Sequence, residues 1–410
     1  MFFIGIDWAE KHLDYCIENN SGDVIKRCRV DNDDNGFNSM LFSIGKENIQ
    51  LSQIAVAIES PHQHVVDFLL ARGVDVYPVN PAAIHDYRKS RKPSGSKSDE
   101  GDAQLIASYL REHHKSLRVW HLPAPKLRQL KLLVDDRDKI VTEKVRLQNQ
   151  LRSTLRDYFP QAVDAFCDIT CPTSLDFLDQ FPTFEETEAK TDEDWQIFLD
   201  EHRVHNPNAR QRFLSALKSK PITVDEVVAN AKSLLTKTIV SQLRAITAAL
   251  KEYHKRIEEL LKEFSDGTLF RSLPGVDIIL AVKLLVAIGT DRERFSNANE
   301  LQSFFGTAPY TKSSGQYRSV HFRLACNKTM RAALGQMALA SLRSSTWAKN
   351  YFSKKRKDGK KAHHALRCLA NLWLKVIFAI WKNRTEYDET KHLASIARHQ
   401  LTQPIVGATA

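Results

Sequence analysis

Cysteine is scarce: six thiols (Cys16, Cys28, Cys167, Cys171, Cys326 and Cys368) are scattered over 410 residues. A disulfide framework needs dense cysteines in a short secreted chain, so these read as reduced thiols of a cytoplasmic protein. Cys167 and Cys171 form a C-x-x-x-C pair, but no second Cys/His pair follows at zinc spacing. Long apolar runs are missing too; none approaches the ~18 uncharged residues of a membrane span. The opening MFFIGIDWAEK places Asp7 inside its apolar stretch and has no basic leader, so no signal peptide is expected. Neither an internal repeat nor a G-x-S-x-G elbow is present, which disfavours solenoids and hydrolase triads. An actin-like ATPase could also open on GID, but it would want further Gly-rich phosphate loops, which do not occur.

What remains is ordinary for a folded chain: 42% hydrophobic and 26% charged residues exclude collagen-like, mucin-like and wholly disordered classes. At ~150 residues per domain the length suggests two or three domains. Lys and Arg number 59 against 49 Asp and Glu, a net charge of +10 that favours a polyanionic partner.

Residues 2–8 (FFIGIDW) read as a buried strand, and strands near 13–19 and 24–30 flank the turn-forming NNSG as a hairpin. IAVAIES (54–60) and VDVYPV (74–79) are further strands, while Pro61 opens a helix and 81–89 and 98–112 read as helices. A meander that then alternates with helices indicates a mixed sheet with helices packed on it, over residues 1–120.

From 121 to 265 the pattern is a long helical connector with an inserted irregular segment at about 160–235. Ile239, Leu243, Ile246, Leu250, Tyr253, Ile257, Leu260 and Phe264 step alternately by 4 and 3, a coiled-coil seam. It can pack on its own domain, pair antiparallel with the helix at 127–158, or dimerise. Residues 266–390 are helical and basic, and 391–410 are expected to be a disordered tail.

Four acids stand out. Asp7 and Glu59 each end an apolar run, where an unpaired charge is costly. Asp99 and Asp102 lie at i and i+3 in KSDEGDAQLIA, on one face of a helix start. Strand ends and a helix N-terminus can converge at one sheet edge, and carboxylate sets of this kind suit Mg²⁺ or Mn²⁺. Arg88, Lys89, Arg91, Lys92 and Lys97, in YRKSRKPSGSKSD, lead into the pair as a cationic rim fit for a nucleic-acid backbone. Individually, each acid reads equally well as a cap or a solvated charge.

GIDWAEKHLD with a following hairpin, then AIES, then KSDEGDAQLIA, resembles the N-terminal domain of the DEDD transposases of insertion sequences. That resemblance covers about residues 2–120 and implies an α/β RNase H-like, RuvC-like domain whose four acids fall on Asp7, Glu59, Asp99 and Asp102.

LFRSLPGVDIILAVKLLVAIG (269–289) has the form of a helix–hairpin–helix whose Gly275 turn can present N–H groups to a phosphate or serve as a packing corner. FSNANELQSFFG (295–306) reads as a capped helix. Ser313 and Ser314 precede Gly315 in a polar loop with Lys312, Arg318 and Arg323 nearby. A serine beside glycine is usually just a turn residue. L-P-G-V followed by G-T-A-P-Y-x-K-S-S-G resembles the second conserved domain of the same family. The resemblance implies that a serine here, Ser314 or the adjacent Ser313, takes the DNA strand as a phosphoserine. Lys354, Lys355, Arg356 and Lys357 form a basic stretch near Trp347, Tyr351 and Phe352, which could contact phosphates and stack on bases.

The family further implies a Mg²⁺-dependent recombinase that works through a Holliday-type junction and a structured guide RNA. It also implies dimers or tetramers in which the acids of one subunit face the serine of another, in a bacterial or archaeal cytoplasm at the nucleoid. Two other readings stay open from the residues: a hydrolytic metal-dependent junction endonuclease, and a non-catalytic nucleic-acid-binding protein.

Overall fold

A computed structural model describes residues 1–59, 64–91, 99–220, 224–315 and 317–402. The chain divides into two compact units, Met1–Leu122 and Pro123–Ala410.

The first unit runs β1 (Phe2–Trp8), β2 (His12–Glu18), β3 (Val24–Asp31), α1 (Asp34–Lys46), β4 (Ile54–Ile58), α2 (His64–Leu70), β5 (Asp75–Pro78), α3 (Pro81–Arg91) and α4 (Asp99–His113). The strands form one sheet in the order β3-β2-β1-β4-β5. β1, β2 and β3 are antiparallel neighbours, as the NNSG hairpin predicts, and β1, β4 and β5 are parallel. Glu59 lies just past β4 rather than within a strand reaching 60, and Pro61 falls outside the described residues.

The sheet is covered on both faces, which explains why β1 and β4 read as continuous apolar runs. Ile4, Ile6, Val56 and Ile58 point one way, into a core with Phe37, Met40, Val65 and Leu69 of α1 and α2. Phe3, Ala55 and Ala57 point the other way, against Leu105, Ile106 and Leu110 of α4. At Gly5 the strand offers α4 no side chain. A Cβ on Gly5 would stand 2.1 Å from the Ala103 carbonyl oxygen and 2.3 Å from the Ala107 nitrogen, so only glycine lets the helix backbone lie on the strand. Gly5→Ala is expected to destabilise this unit by about 1–3 kcal/mol or more, the usual cost of overpacking, because the obstacle is backbone and cannot rotate away. Thermal unfolding measures it; an unchanged midpoint would contradict the packing. At its other end α4 is fixed by Glu18, 1% exposed, whose carboxylate accepts from Ser108 Oγ (2.6 Å) and Arg111 Nε (3.1 Å).

The second unit opens on the long helix α5 (Pro125–Tyr158). Five short helices follow: α6 (Pro160–Ala165), α7 (Pro172–Gln180), α8 (Phe184–Glu188), α9 (Asp192–Glu201) and α10 (Pro207–Leu217). They close over an aromatic core that includes Phe159, Phe177, Trp195, Phe198 and Phe213. Cys171 caps α7, accepting from the Ser174 N–H, while Cys167 lies beside Arg212.

The second long helix, α11 (Glu226–Leu261), runs antiparallel to α5. Ile239, Val240 and Leu243 share one core with Leu147, Leu151 and Leu155, and Ile257 and Leu261 share another with Leu127, Leu130 and Val134. Of the three arrangements open to the 239–264 seam, the chain adopts this internal pairing. Between the two cores the seam is only half-buried at Leu250 and Tyr253, where Arg137 and Lys144 of α5 interrupt the apolar stripe.

The remaining elements are α12 (Ser265–Arg271), α13 (Ile278–Ile288), α14 (Ala298–Phe304), β6 (Tyr310–Ser314), β7 (Tyr317–His321), α15 (Lys328–Ser341), α16 (Thr346–Lys357), α17 (Ala362–Asn383) and α18 (Glu389–Thr402). Asn297 caps α14 through the Glu300 N–H, as read from the sequence. By length and composition α17 could cross a membrane, but Leu369, Trp373, Leu374, Ile377 and Trp381 are buried in this unit's core.

The expected disordered tail is corrected in part. Residues 389–402 form α18, which Glu389 docks by accepting from the Thr346 N–H (2.8 Å) and Ser345 Oγ (3.2 Å); residues 403–410 lie outside the described residues.

Candidate active site

The β1–β4 register decides where the first two acids stand. Ile6 pairs with Ile58, so Asp7 and Glu59 follow side by side at the carboxyl end of the parallel strands. Asp102 sits in the first turn of α4, which the bare Gly5 allows against β1. These elements and α3 enclose a cavity of about 200 Å³ lined by Asp7, Glu59, Pro81, Ile84, His85, Arg88 and Asp102. Three of the four acids singled out in the sequence therefore share one cavity, although up to 95 positions separate them. The Asp99 side chain, Lys92 and Lys97 lie outside the described residues.

Two further acids were not singled out. Asp14 pairs directly with Asp7 across β1 and β2, but its carboxylate, 5% exposed, is bound at both oxygens by Arg29 of β3 (2.9 and 2.8 Å). Glu18 is engaged by α4 as described. Both are satisfied structural groups.

Arg88, part of the sequence's basic lead-in, lies inside the cavity: its Nη2 is 2.6 Å from Asp102 Oδ1, with the side chains 20% and 14% exposed. Among the described residues no three acidic, imidazole or thiol groups could hold one ion as they lie. The donor set is nevertheless all oxygen and anionic, as hard divalent cations require. A guanidinium already resting on Asp102 marks the spot as one that attracts positive charge. Arg91, named as a rim residue, pairs with Glu112 and lies over the Tyr87 ring at 5.2 Å. Burial pushes the Tyr87 phenol up to about 12, so it stays neutral where it packs edge-on against Tyr109 at 5.3 Å, holding α3 on α4.

The serine segment corrects the expectation of a loop. Ser313 and Ser314 end β6, and β6 and β7 form a two-stranded hairpin in which Ser313 faces Arg318 and Ser314 faces Tyr317. The sequence misled because its alternation is polar on both faces, so no apolar period of two betrays the strand. Adjacent strand residues point to opposite faces. Ser313 thus shares a face with Arg318, and Ser314 shares the other with Tyr317 and Lys312; both serines are exposed. Gly315 turns the chain at φ +55°. Arg323 reaches the Ala308 carbonyl (3.4 Å) and sits over Tyr310 at 5.9 Å.

Lys354, Lys355, Arg356 and Lys357 fill the last turn of α16, where cations suit the helix dipole. Three of them are exposed and Lys355 is half-buried beside Asp358 (3.6 Å). The idea that Trp347 stacks on bases is corrected. It is 7% exposed and its indole N–H donates to Tyr387 Oη (2.7 Å), while Tyr351 and Phe352 pack against the core. Gly275 has a packing reason of its own: at φ +79° a Cβ would stand 2.8 Å from Ala340 Cβ and 2.9 Å from the Ser341 nitrogen.

Comparison with known proteins identifies the family of the chain. A DEDD transposase model of the IS110 type, described as Transposase, matches residues 4–160, and a model described as Transposase IS116/IS110/IS902 family matches residues 267–353. A mini-circle putative transposase for IS117 of Streptomyces coelicolor is 29% identical over 402 residues, 96% of this chain and 97% of the relative. An insertion element IS110 uncharacterized 43.6 kDa protein of the same organism is 25% identical over 301 residues, 72% and 73% of the two chains. A transposase for insertion sequence element IS1111A of Coxiella burnetii is 22% identical over 247 residues, 60% and 53%. The chain belongs to the DEDD transposases of insertion sequences. Within them it falls in the IS110 family.

Proposed function

We propose that this transposase cuts and rejoins DNA with a carboxylate-held divalent ion and a serine nucleophile. The observation that carries the reading is the meeting of Asp7, Glu59 and Asp102 in one cavity. The order β3-β2-β1-β4-β5, with a helix crossing the central strand, supports an RNase H-like reading of the first unit. Asp7, Glu59, Asp99 and Asp102 would hold Mg²⁺ or Mn²⁺. Bound there, such ions offset the charge that develops on a phosphodiester as it reacts.

Ser314, with Ser313 as the alternative, supplies the attacking oxygen. A bond forms between serine Oγ and phosphorus as the bond from phosphorus to the leaving deoxyribose oxygen breaks. The serine proton passes to solvent base and the leaving oxygen takes one up. Reversal by a hydroxyl of another strand rejoins the DNA and, repeated, passes through a Holliday-type junction. Lys312, Arg318 and Arg323 on the hairpin, the Lys354–Lys357 cluster, and Arg91, Lys92 and Lys97 are the phosphate contacts in this reading. The Gly275 turn, in a helix–hairpin–helix, presents N–H groups to a phosphate in the same reading. A guide RNA, dimers or tetramers that combine acids and serine from separate copies, and a prokaryotic cytoplasmic setting at the nucleoid follow from the family likeness and the net charge of +10.

A DNA substrate nicked so that the cleaved strand end diffuses away tests the covalent step. Incubated with Mg²⁺ and the full chain, it is expected to give a protein–DNA adduct that survives denaturation. Cleavage with a free DNA end and no adduct would mean that water, not serine, attacks.

A further inference from the structure

We propose that Arg88 is the resident counter-ion of the acidic cavity and leaves Asp102 when a divalent cation enters. This rests on the reading of Asp7, Glu59 and Asp102 as ligands. Pro81, Ile84, His85 and Arg88 recur at helical spacing, so one face of α3 closes the cavity opposite the acids. Arg88 is the sole lysine or arginine among the described lining residues, and its bond to Asp102 is short and largely shielded from water.

Carboxylates gathered in one cavity repel one another unless a cation joins them. A guanidinium cannot neutralise itself by losing its proton, so it stays charged for as long as it stays put. A divalent ion bonded to Asp102 would stand a few ångströms from that guanidinium, and like charges at such range repel strongly in a shielded site. The two cations therefore compete for one carboxylate. In the metal-free chain Arg88 offsets part of that negative charge, and loading exchanges one cation for another. Once displaced, Arg88 remains tethered to α3 at the cavity wall, where the phosphate of an arriving strand is its next available anion.

Calorimetric titration of Mn²⁺ into the full chain tests the exchange. Arg88→Gln removes the competitor and is expected to bind Mn²⁺ more tightly by roughly 5–150-fold, the range of ordinary site–site coupling. Lys89→Gln makes the same change of charge on the same helix, at an exposed position outside the cavity lining, and is expected to bind as the wild type does. Asp102→Asn is expected to weaken binding. If Arg88→Gln binds equally or less tightly while Asp102→Asn still weakens binding, the exchange is wrong and the ligand reading stands. If Asp102→Asn makes no difference, or no Mn²⁺ binds to any chain, the ligand reading falls and the exchange with it. A second measurement needs no folded Arg88→Gln. In the ¹⁵N-arginine-labelled wild type, with the signal assigned through Arg88→Lys, the Arg88 side-chain N–H should be protected from solvent exchange without metal. Saturating Mg²⁺ should remove that protection; protection that persists overturns the proposal.

Discussion

Replacing Asp7 with asparagine is expected to reduce DNA strand cleavage by about a thousandfold or more, on the order of 4 kcal/mol of lost transition-state stabilisation. The fold should survive, because Asp7 is only half-buried at a strand end and asparagine keeps its shape. Circular dichroism and the unfolding midpoint should match the wild type while cleavage of an end-bearing DNA substrate disappears. Asp14→Asn is the contrasting control. It sits directly across the sheet from Asp7 but is bound at both oxygens by Arg29. Losing that charge should cost about 1–3 kcal/mol of stability, reduced by the exposure of Arg29, and leave the specific activity of the folded fraction nearly intact. If the two variants behave alike, the division of these acids into functional and structural sets is wrong.

The second large effect concerns the hairpin. Ser314→Ala is expected to abolish the covalent protein–DNA adduct and recombination together, whereas Ser313→Ala keeps both within a few fold. The register makes this a clean comparison, since the two hydroxyls lie on opposite faces and neither can simply take the other's place. Both serines are exposed, so neither variant should move the unfolding midpoint appreciably. Loss of the adduct in Ser313→Ala alone would transfer the nucleophile to the face shared with Arg318. Normal recombination in both variants would leave hydrolysis as the chemistry.

Much of the first unit was legible because its signals are local. Apolar runs ending in Asp7 and Glu59, the NNSG turn and the D-x-x-D at a helix start each announce an element and a charge out of place. What brings them together was not local. Gly5 looks like any strand glycine until α4 lies across it, and the small residues Ala55 and Ala57 acquire meaning only as the floor beneath that helix. Arg88 read as one more basic residue in YRKSRK, since its partner, Asp102, is 14 positions away on another helix.

The second unit shows the opposite balance. The 4-3 seam predicted a packed helix, and α5 is the partner it found. The stretch preceding it in α11 carries no such period, and the start at Glu226 is fixed by Asp225, which caps Val227 at 2.8 Å. Trp347 and α18 were misread for a shared reason. An aromatic in a basic stretch and a polar terminal segment both look solvent-facing, yet Tyr387 and Glu389 fold back over α16 and bind them.

The most direct test is crystallographic: full-length protein soaked in Mn²⁺ and measured for anomalous scattering at the manganese edge. A peak is expected between the carboxylates of Asp7, Glu59 and Asp102, with the Arg88 guanidinium withdrawn from Asp102. An empty cavity at millimolar Mn²⁺, with Arg88 still on Asp102, would contradict the proposal that these acids gather to hold a divalent ion.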